Sequence, residues 1–300
     1  MRILVTGANG LLGQKLSAIL DEDSEVELIA TARSPLSLKL KNGTFAQLDI
    51  TSQEQVEKVI STYRPNVIIN TAAMTQVDQC ETDRAQCWLA NTTAVQFLVA
   101  AAEQNHSKLI HVSTDFIFDG TEGPLDEDAE PHPVNYYGES KLAAEKIIQQ
   151  CKCQWAIVRT VLVYGITTDL SRSNIVLWVK KSLEDGKTIN VVNDQYRTPT
   201  LAEDLATGCM LVAKKQAEGI FHISGKEMMT PYDIAIETAD YFGLDKNLIK
   251  ATDSSTFRQP AARPLKTGFN IQKAERVLGY SPHRFKEGLA LLASQIVGKK

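Results

Sequence analysis

Tyr137-Gly138-Glu139-Ser140-Lys141 sets a phenol and an amine four residues apart. If this run opens a helix, the two side chains share one face. A phenol titrates near 10 and is a poor proton donor at neutral pH. An ammonium ~4 Å away, at an effective dielectric near 20, is worth roughly 4 kcal/mol. That is enough to bring the phenol toward the range useful for acid–base work. The spacing alone is common, and a solvated pair on a surface helix would satisfy it equally. Upstream, Ser113-Thr114-Asp115 ends an apolar run. A hydroxyl at such a strand end can hydrogen-bond a substrate carbonyl, because a doubly wound sheet opens its ligand crevice there.

A third group of residues speaks to a cofactor. Thr6-Gly7-Ala8-Asn9-Gly10-Leu11-Leu12-Gly13 follows the first apolar run and opens the first helical pattern. In that context Gly7 permits a tight turn, Gly10 admits a pyrophosphate close to the backbone, and Gly13 lets the helix pack on the strand. The second strand ends in Ala30-Thr31-Ala32-Arg33-Ser34, with no acid to hold ribose hydroxyls. Arg33 can instead pair with a 2′-phosphate, so NADPH is expected, with NADH as the weaker option. Asp49 and Ile50 follow the third strand. Asp49 can accept from an adenine amino group, or merely cap the helix that begins after Thr51.

The elements that must position these residues alternate. Strands are expected at Arg2–Thr6, Val26–Thr31, Phe45–Leu48, Asn66–Asn70, Leu109–Ser113 and Trp155–Arg159. Helical spacing falls between them, at Leu11–Leu20, Ser52–Tyr63, about Arg84–Gln104 and Tyr137–Gln149. This rhythm predicts an α/β fold, a Rossmann-type doubly wound parallel sheet with a smaller C-terminal substrate-binding lobe. Residues 1–165 form the expected dinucleotide-binding domain, with returning segments near 188–225, and 166–300 mainly the lobe. The acidic, proline-bearing stretch Asp119–Pro133 reads as a surface excursion beside the site.

Composition narrows the function classes. A net charge of −4 provides no basic footprint for nucleic acid. No apolar run approaches the ~18–20 residues of a membrane span. Five cysteines, with Cys151 and Cys153 too close for a zinc pair, suggest reduced thiols and a cytoplasmic setting. The five histidines are scattered, so no metal site is expected; His111 and His222 read as sheet residues, and Trp155 and Trp178 as packing residues.

The longer motifs carry a resemblance. The glycine loop resembles the T-G-x-x-G-x-x-G of the extended short-chain dehydrogenase/reductase superfamily. Asn70-Thr71-Ala72-Ala73-Met74-Thr75-Gln76-Val77-Asp78-Gln79-Cys80-Glu81 and Val112-Ser113-Thr114-Asp115-Phe116-Ile117-Phe118-Asp119-Gly120 are similar to N-A-A-A-Y-T-x-V-D-x-A-E and V-S-T-D-Y-V-F-D-G of the dTDP-4-dehydrorhamnose reductase family. Pro133–Gly138, Asn193–Thr200 and Ala262-Arg263-Pro264 match as well. The resemblance implies hydride transfer from NADPH or NADH to the C4 carbonyl of dTDP-6-deoxy-L-lyxo-4-hexulose, giving dTDP-L-rhamnose. By position, Thr114 would polarise the carbonyl, Tyr137 donate the proton, and Lys141 tune Tyr137 and hold the nicotinamide ribose. Ala72, Ala73 and Met74 would line the cofactor, and Thr75, Val77, Asp115, Phe116 and Leu162 the sugar. Leu162 and Met74 stand where the family carries Trp and Tyr. Family members are often dimers, some with Mg²⁺ at the interface; no ligand cluster for Mg²⁺ is evident here.

Two other readings share the fold. One is a nucleotide-binding regulatory subunit, since the β subunit of methionine adenosyltransferase resembles the same family. The other is an epimerase or dehydratase of the superfamily. Thr114, Tyr137 and Lys141 favour catalysis, and Phe116 where dehydratases usually carry Glu speaks against dehydration.

Overall fold

The computed structural model describes residues 1–167, 174–257 and 259–297. Seven parallel strands form the central sheet in the order β10-β6-β5-β4-β1-β2-β3. They are β1 (Arg2–Thr6), β2 (Glu27–Ala32), β3 (Thr44–Gln47), β4 (Val67–Asn70), β5 (Lys108–Thr114), β6 (Trp155–Thr160) and, after three short strands, β10 (Gly219–His222). The chain winds outward from β1 in one direction to β3, then from β4 in the other. The crevice therefore opens at the C-terminal ends of β1 and β4, where the direction reverses.

Both faces of the sheet are buried. Ile3, Val5, Val67 and Ile69 point into one core with Leu16 and Leu20 of α1 (Leu11–Asp21). Leu4 and Ile68 point the other way, with Val56 and Ile60 of α2 (Gln53–Tyr63). This two-residue alternation of apolar side chains explains the continuous V-I-I and I-L-V runs, since neither face has water to meet.

Helices α3 (Val77–Thr82) and α4 (Arg84–Trp88) lead through a π-helical turn at Leu89–Thr93 into α5 (Ala94–Asn105). The single long helix expected over this stretch is thus real in extent but carries a bulge. Helix α6 (Tyr136–Gln149) precedes β6, and is N-capped by Asn135, whose side chain accepts from the Gly138 amide at 2.8 Å.

The remaining chain is divided. Helix α8 (Ala202–Lys214) contributes Leu205, Cys209 and Val212 to the core around α1, and β10 joins the main sheet beside β6. Strand β7 (Val163–Tyr164) pairs with β9 (Thr200–Leu201). Strand β8 (Ile189–Val192) does not return to the main sheet as expected; it pairs with β11 (Ile249–Thr252). Those two strands pack with Val179 and Leu183 of α7 (Ile175–Glu184) and Ala235 and Ala239 of α9 (Pro231–Phe242). Helices α10 (Gln272–Leu278) and α11 (Phe285–Val297) close the fold.

The 119–133 stretch is less free than an excursion. Leu125 N donates to Gly268 O at 2.8 Å and Asn270 N to Leu125 O at 2.9 Å. Gly120 sits at φ +81°, with Pro264 and Leu265 too close for any Cβ. The acidic stretch is a strap laid along residues 264–270.

Candidate active site

The glycine loop meets its expected geometry. Gly7 has φ +69°, and a Cβ there would lie 2.9 Å from the backbone of Ala72. A Cβ on Gly13 would lie 2.2 Å from Gly7 O, so only glycine lets α1 start this close to the strand. Gly10 occupies the N-cap position of α1 and supplies no side-chain cap. The amides of Leu11, Leu12 and Gly13 are therefore left to a ligand, at the positive end of the helix dipole. Asn9 also has a structural task. Its amide donates to Ser34 Oγ and Pro35 O and accepts from the Ser37 amide, tying the loop to the chain after β2. Arg33, at that same end of β2, is exposed and has no ion-pair partner among the described residues.

Asp49 and Ile50, the other expected cofactor residues near the loop, lie just past β3. Asp49 Oδ1 accepts from the amide and the hydroxyl of Thr51, closing the turn before Ser52, which caps α2. Ile50 is buried in the core with Leu48 and Val56.

Tyr137 and Lys141 do lie on the first turns of a helix, at i and i+4. Tyr137 packs edge-on to Phe116 at 5.8 Å, and the nearby Thr114 hydroxyl works to lower its phenol. Helix α6 is pressed so tightly on the end of β5 that a Cβ on Gly138 would fall 2.1 Å from Phe116 O. The expected acidification of the phenol is not seen. Burial pushes Tyr137 up, the Thr114 hydroxyl offsets this only in part, and the Asp115 carboxylate adds to the rise. Lys141 is turned elsewhere: its Nζ lies 2.8 Å from His111 Nε2 and donates to Val112 O at 2.7 Å. Burial brings the amine itself down to about 8. In this arrangement the phenol keeps its proton, which suits a donor rather than a base.

Behind this pair runs a buried polar row. His111, Asn70 and Thr6 are register partners on β5, β4 and β1. His111 Nδ1 lies 3.0 Å from Asn70 Nδ2, and the Thr6 hydroxyl donates to Asn70 Oδ1 at 2.6 Å. The row joins the α6 lysine to the start of the glycine loop.

Asn91, in the π-helical turn, clamps Met74: its Oδ1 accepts from the Met74 amide at 2.8 Å and its Nδ2 donates to Met74 O at 3.0 Å. The same Nδ2 donates to Ser140 Oγ at 3.1 Å, and Ser140 Oγ donates to Tyr137 O at 2.7 Å. A π-turn exposes side-chain directions that a regular helix hides, and here it aims one amide at both walls of the crevice. No spacing in the sequence marks that turn.

The expected sugar-side residues separate into two groups. Thr75 is exposed, and Val77 and Phe116 are half-buried around Tyr137. Asp115, by contrast, is not free for a sugar. It is 2% exposed, and its carboxylate meets the Thr114 and Thr267 hydroxyls and the Arg197 guanidinium. Burial raises its carboxyl, with Arg197 opposing the rise. It is a strut between the strand end and the lobe. Leu162 is half-buried among apolar neighbours, and its φ of +36° is unusual for a bulky side chain.

The motif V-D-x-x-E acquires a meaning that spacing alone did not offer. Asp78 takes a bidentate pair from Arg263 at 2.6 and 2.9 Å, and Glu81 accepts from the Tyr136 amide at 2.6 Å. The first contact pins the lobe to the crevice, and the second holds the start of α6. Glu145 and Arg159, both nearly fully buried, pair at 2.8 Å and fix α6 to β6.

Arg263 also lines a cavity of about 500 Å³ in the lobe, with Asn174, Trp178, Asn190, Gln195 and Phe257. Trp178 and Phe257 are each 41% exposed. Trp178, read from sequence as a packing residue, is thus a cavity wall. Among the described residues, no group of three or more His, Cys, Asp or Glu is placed to hold a metal, and no helix is long and apolar enough to cross a membrane.

The family model described as RmlD substrate binding domain matches residues 1–297. The chain is 30% identical to a dTDP-4-dehydrorhamnose reductase of Aggregatibacter actinomycetemcomitans over 300 residues, covering 96% of this chain and 97% of that protein. It is 32% identical to the methionine adenosyltransferase 2 subunit beta of Xenopus laevis over 282 residues, 92% of this chain and 82% of that one. A crystal structure of a dTDP-4-dehydrorhamnose reductase from Clostridium acetobutylicum superposes with a TM-score of 0.89 at 31% identity, over 99% of this chain and all of the other. Another from Bacillus anthracis, in complex with NADP, has a TM-score of 0.84 at 28% identity, over 98% and 99% of the two chains. The chain belongs to the RmlD substrate-binding-domain family, that of the dTDP-4-dehydrorhamnose reductases, as its motifs implied.

Proposed function

We propose that this protein is an NADPH-dependent reductase of a 4-keto nucleotide-sugar, forming a deoxysugar nucleotide such as dTDP-L-rhamnose. The observation that carries this reading is the placement of Tyr137 and Lys141 at i and i+4 on the first turns of α6, pressed on the end of β5 where Thr114 lies buried. The cofactor fits the crevice chemically: the glycine cradle leaves no room for a Cβ, α1 starts with no side-chain cap, and Arg33 is an exposed cation with no ion-pair partner among the described residues. The loop amides would hold the pyrophosphate, Arg33 the 2′-phosphate, and Ala72, Ala73 and Met74 the nicotinamide side. When bound, NADPH supplies the hydride. The protein's part is to place the ketone, with Thr114 donating a hydrogen bond to its oxygen and Tyr137 giving that oxygen a proton. Lys141 supports the phenol and the ribose.

The lobe, mainly residues 166–300, would receive the nucleotide end, with Trp178 and Phe257 offering ring faces to a base and Arg263 a cation to a phosphate. A cytoplasmic homodimer without a required Mg²⁺ is the assembly this reading favours. The test is a panel of 4-keto and 3-keto sugar nucleotides assayed for NADPH oxidation. Turnover of a 4-keto substrate is expected. Failure on every substrate, together with stoichiometric recovery of an enzyme partner, would instead support the regulatory-subunit reading that the Xenopus relative suggests.

A further inference from the structure

Thr6, Asn70, His111 and Lys141 form one hydrogen-bonded row, and none is more than 2% exposed. Buried groups without water must satisfy one another, so their donors and acceptors can be counted. The Asn70 oxygen is taken by the Thr6 hydroxyl, which leaves its NH₂ facing His111 Nδ1 at 3.0 Å. An amide NH₂ only donates, so Nδ1 must accept and the ring proton must lie on Nε2. Nε2–H in turn donates, and what it meets at 2.8 Å is Lys141 Nζ. An ammonium has no lone pair to receive it; a neutral amine has one, and keeps two N–H groups, one of which Val112 O accepts. A charged Lys141 demands the reverse arrangement, with the proton on Nδ1 and the Asn70 amide turned so that its oxygen faces the ring. The row has two self-consistent settings, and the one present matches a neutral amine.

We propose that His111 is a positioning residue whose tautomer, fixed by the Asn70 amide, sets the charge of Lys141, which lies one turn along α6 from Tyr137. This rests on the reading of Tyr137 and Lys141 as the reductase pair. The direction of both shifts agrees: burial brings Lys141 down to about 8 and holds Tyr137 above its ordinary range. The other ionisable groups that act on the amine are Glu145 on its own helix, itself paired with Arg159 on β6, and Cys87 on α4. Glu145 favours the ammonium, so the neutral setting needs the ring's Nε2–H to oppose it.

The ring is read directly by long-range ¹⁵N–¹H correlation on the ¹⁵N-labelled full chain without substrate, with His111→Gln assigning the signal. A neutral Nε2–H tautomer is expected above about pH 8, where Lys141 has given up its proton, and an Nδ1–H tautomer below it. A ring that keeps one tautomer across this range, or an imidazolium, would overturn the proposal. In Asn70→Asp the carboxylate can only accept, so the ring is expected to change to Nδ1–H. The alkaline limb of kcat for NADPH oxidation then moves up by about one pH unit, a tenfold change in the lysine's proton affinity. The double variant Asn70→Asp/His111→Gln keeps the new charge but loses the ring. An equal shift in single and double variants would show that the charge acts without His111 and would sink the idea. NADPH affinity and melting temperature confirm that each variant is folded. Because the tautomer is read with no sugar present, a protein that reduces no keto-sugar would retire the reductase reading while the spectrum still decides the role of His111.

Discussion

Thr114, Tyr137 and Lys141 are each no more than 8% exposed, and hydrogen bonds to β5, α6 and the Asn91 turn engage the groups around them. By contrast, Arg33 and Thr75 are exposed, and Trp178 is 41% exposed. The first group is an interior that happens to face a ligand; the second is a surface awaiting one. The proton-handling groups need fixed geometry and low polarity around them, which requires neighbours on several elements. The binding groups recover their costs only when a ligand arrives, so they can remain solvated until then.

This contrast can be broken or sharpened by substitution. The largest effect is expected at Tyr137→Phe, where turnover should fall by about 10²–10⁴ for a lost acid while NADPH binding, measured by fluorescence titration, stays near normal. Unchanged turnover there removes the proposed chemistry. Next comes Arg159→Met, which leaves Glu145 charged and unpaired in the interior; a loss of about 3–5 kcal/mol in urea unfolding is expected. A loss below ~1 kcal/mol, in the range of a solvated pair, would mean that this interior is less preorganised than its burial suggests. Arg33→Ala should leave stability alone and lower the preference for NADPH over NADH by about 10- to 100-fold, the worth of one charge-assisted bond. Equal preference before and after would place the 2′-phosphate elsewhere. The smallest effect belongs to Trp178→Ala: a rise in KM of about threefold to tenfold, as for one stacked ring, with kcat unchanged. A fall in kcat instead would bring the lobe cavity into the chemical step.

How much was legible in advance follows the same division. The glycine loop, the order of strands and helices through β6, and the helical placement of Tyr137 with Lys141 were readable because each depends on local spacing. The direction in which the Tyr137 phenol shifts differed from expectation because it depends on what surrounds the helix: His111 and Val112 engage the lysine, and burial raises the phenol. Asp115 was assigned to the sugar for the same reason. Its strand-end position was visible, whereas Thr267 and Arg197, which occupy its carboxylate, arrive from far along the chain.

The amino-acid order by itself settled the doubly wound architecture and the helical spacing of Tyr137 with Lys141, since periodicity of two or 3.6 and the special backbone freedom of Gly7 act over a few neighbours. Only the folded molecule decided what those residues do electrostatically. The Asn91 clamp, the Asp78–Arg263 anchor and the Thr6–Asn70–His111–Lys141 row each join segments distant in sequence. Desolvation and hydrogen-bond satisfaction are properties of all the neighbours at once, and no single stretch of chain contains them.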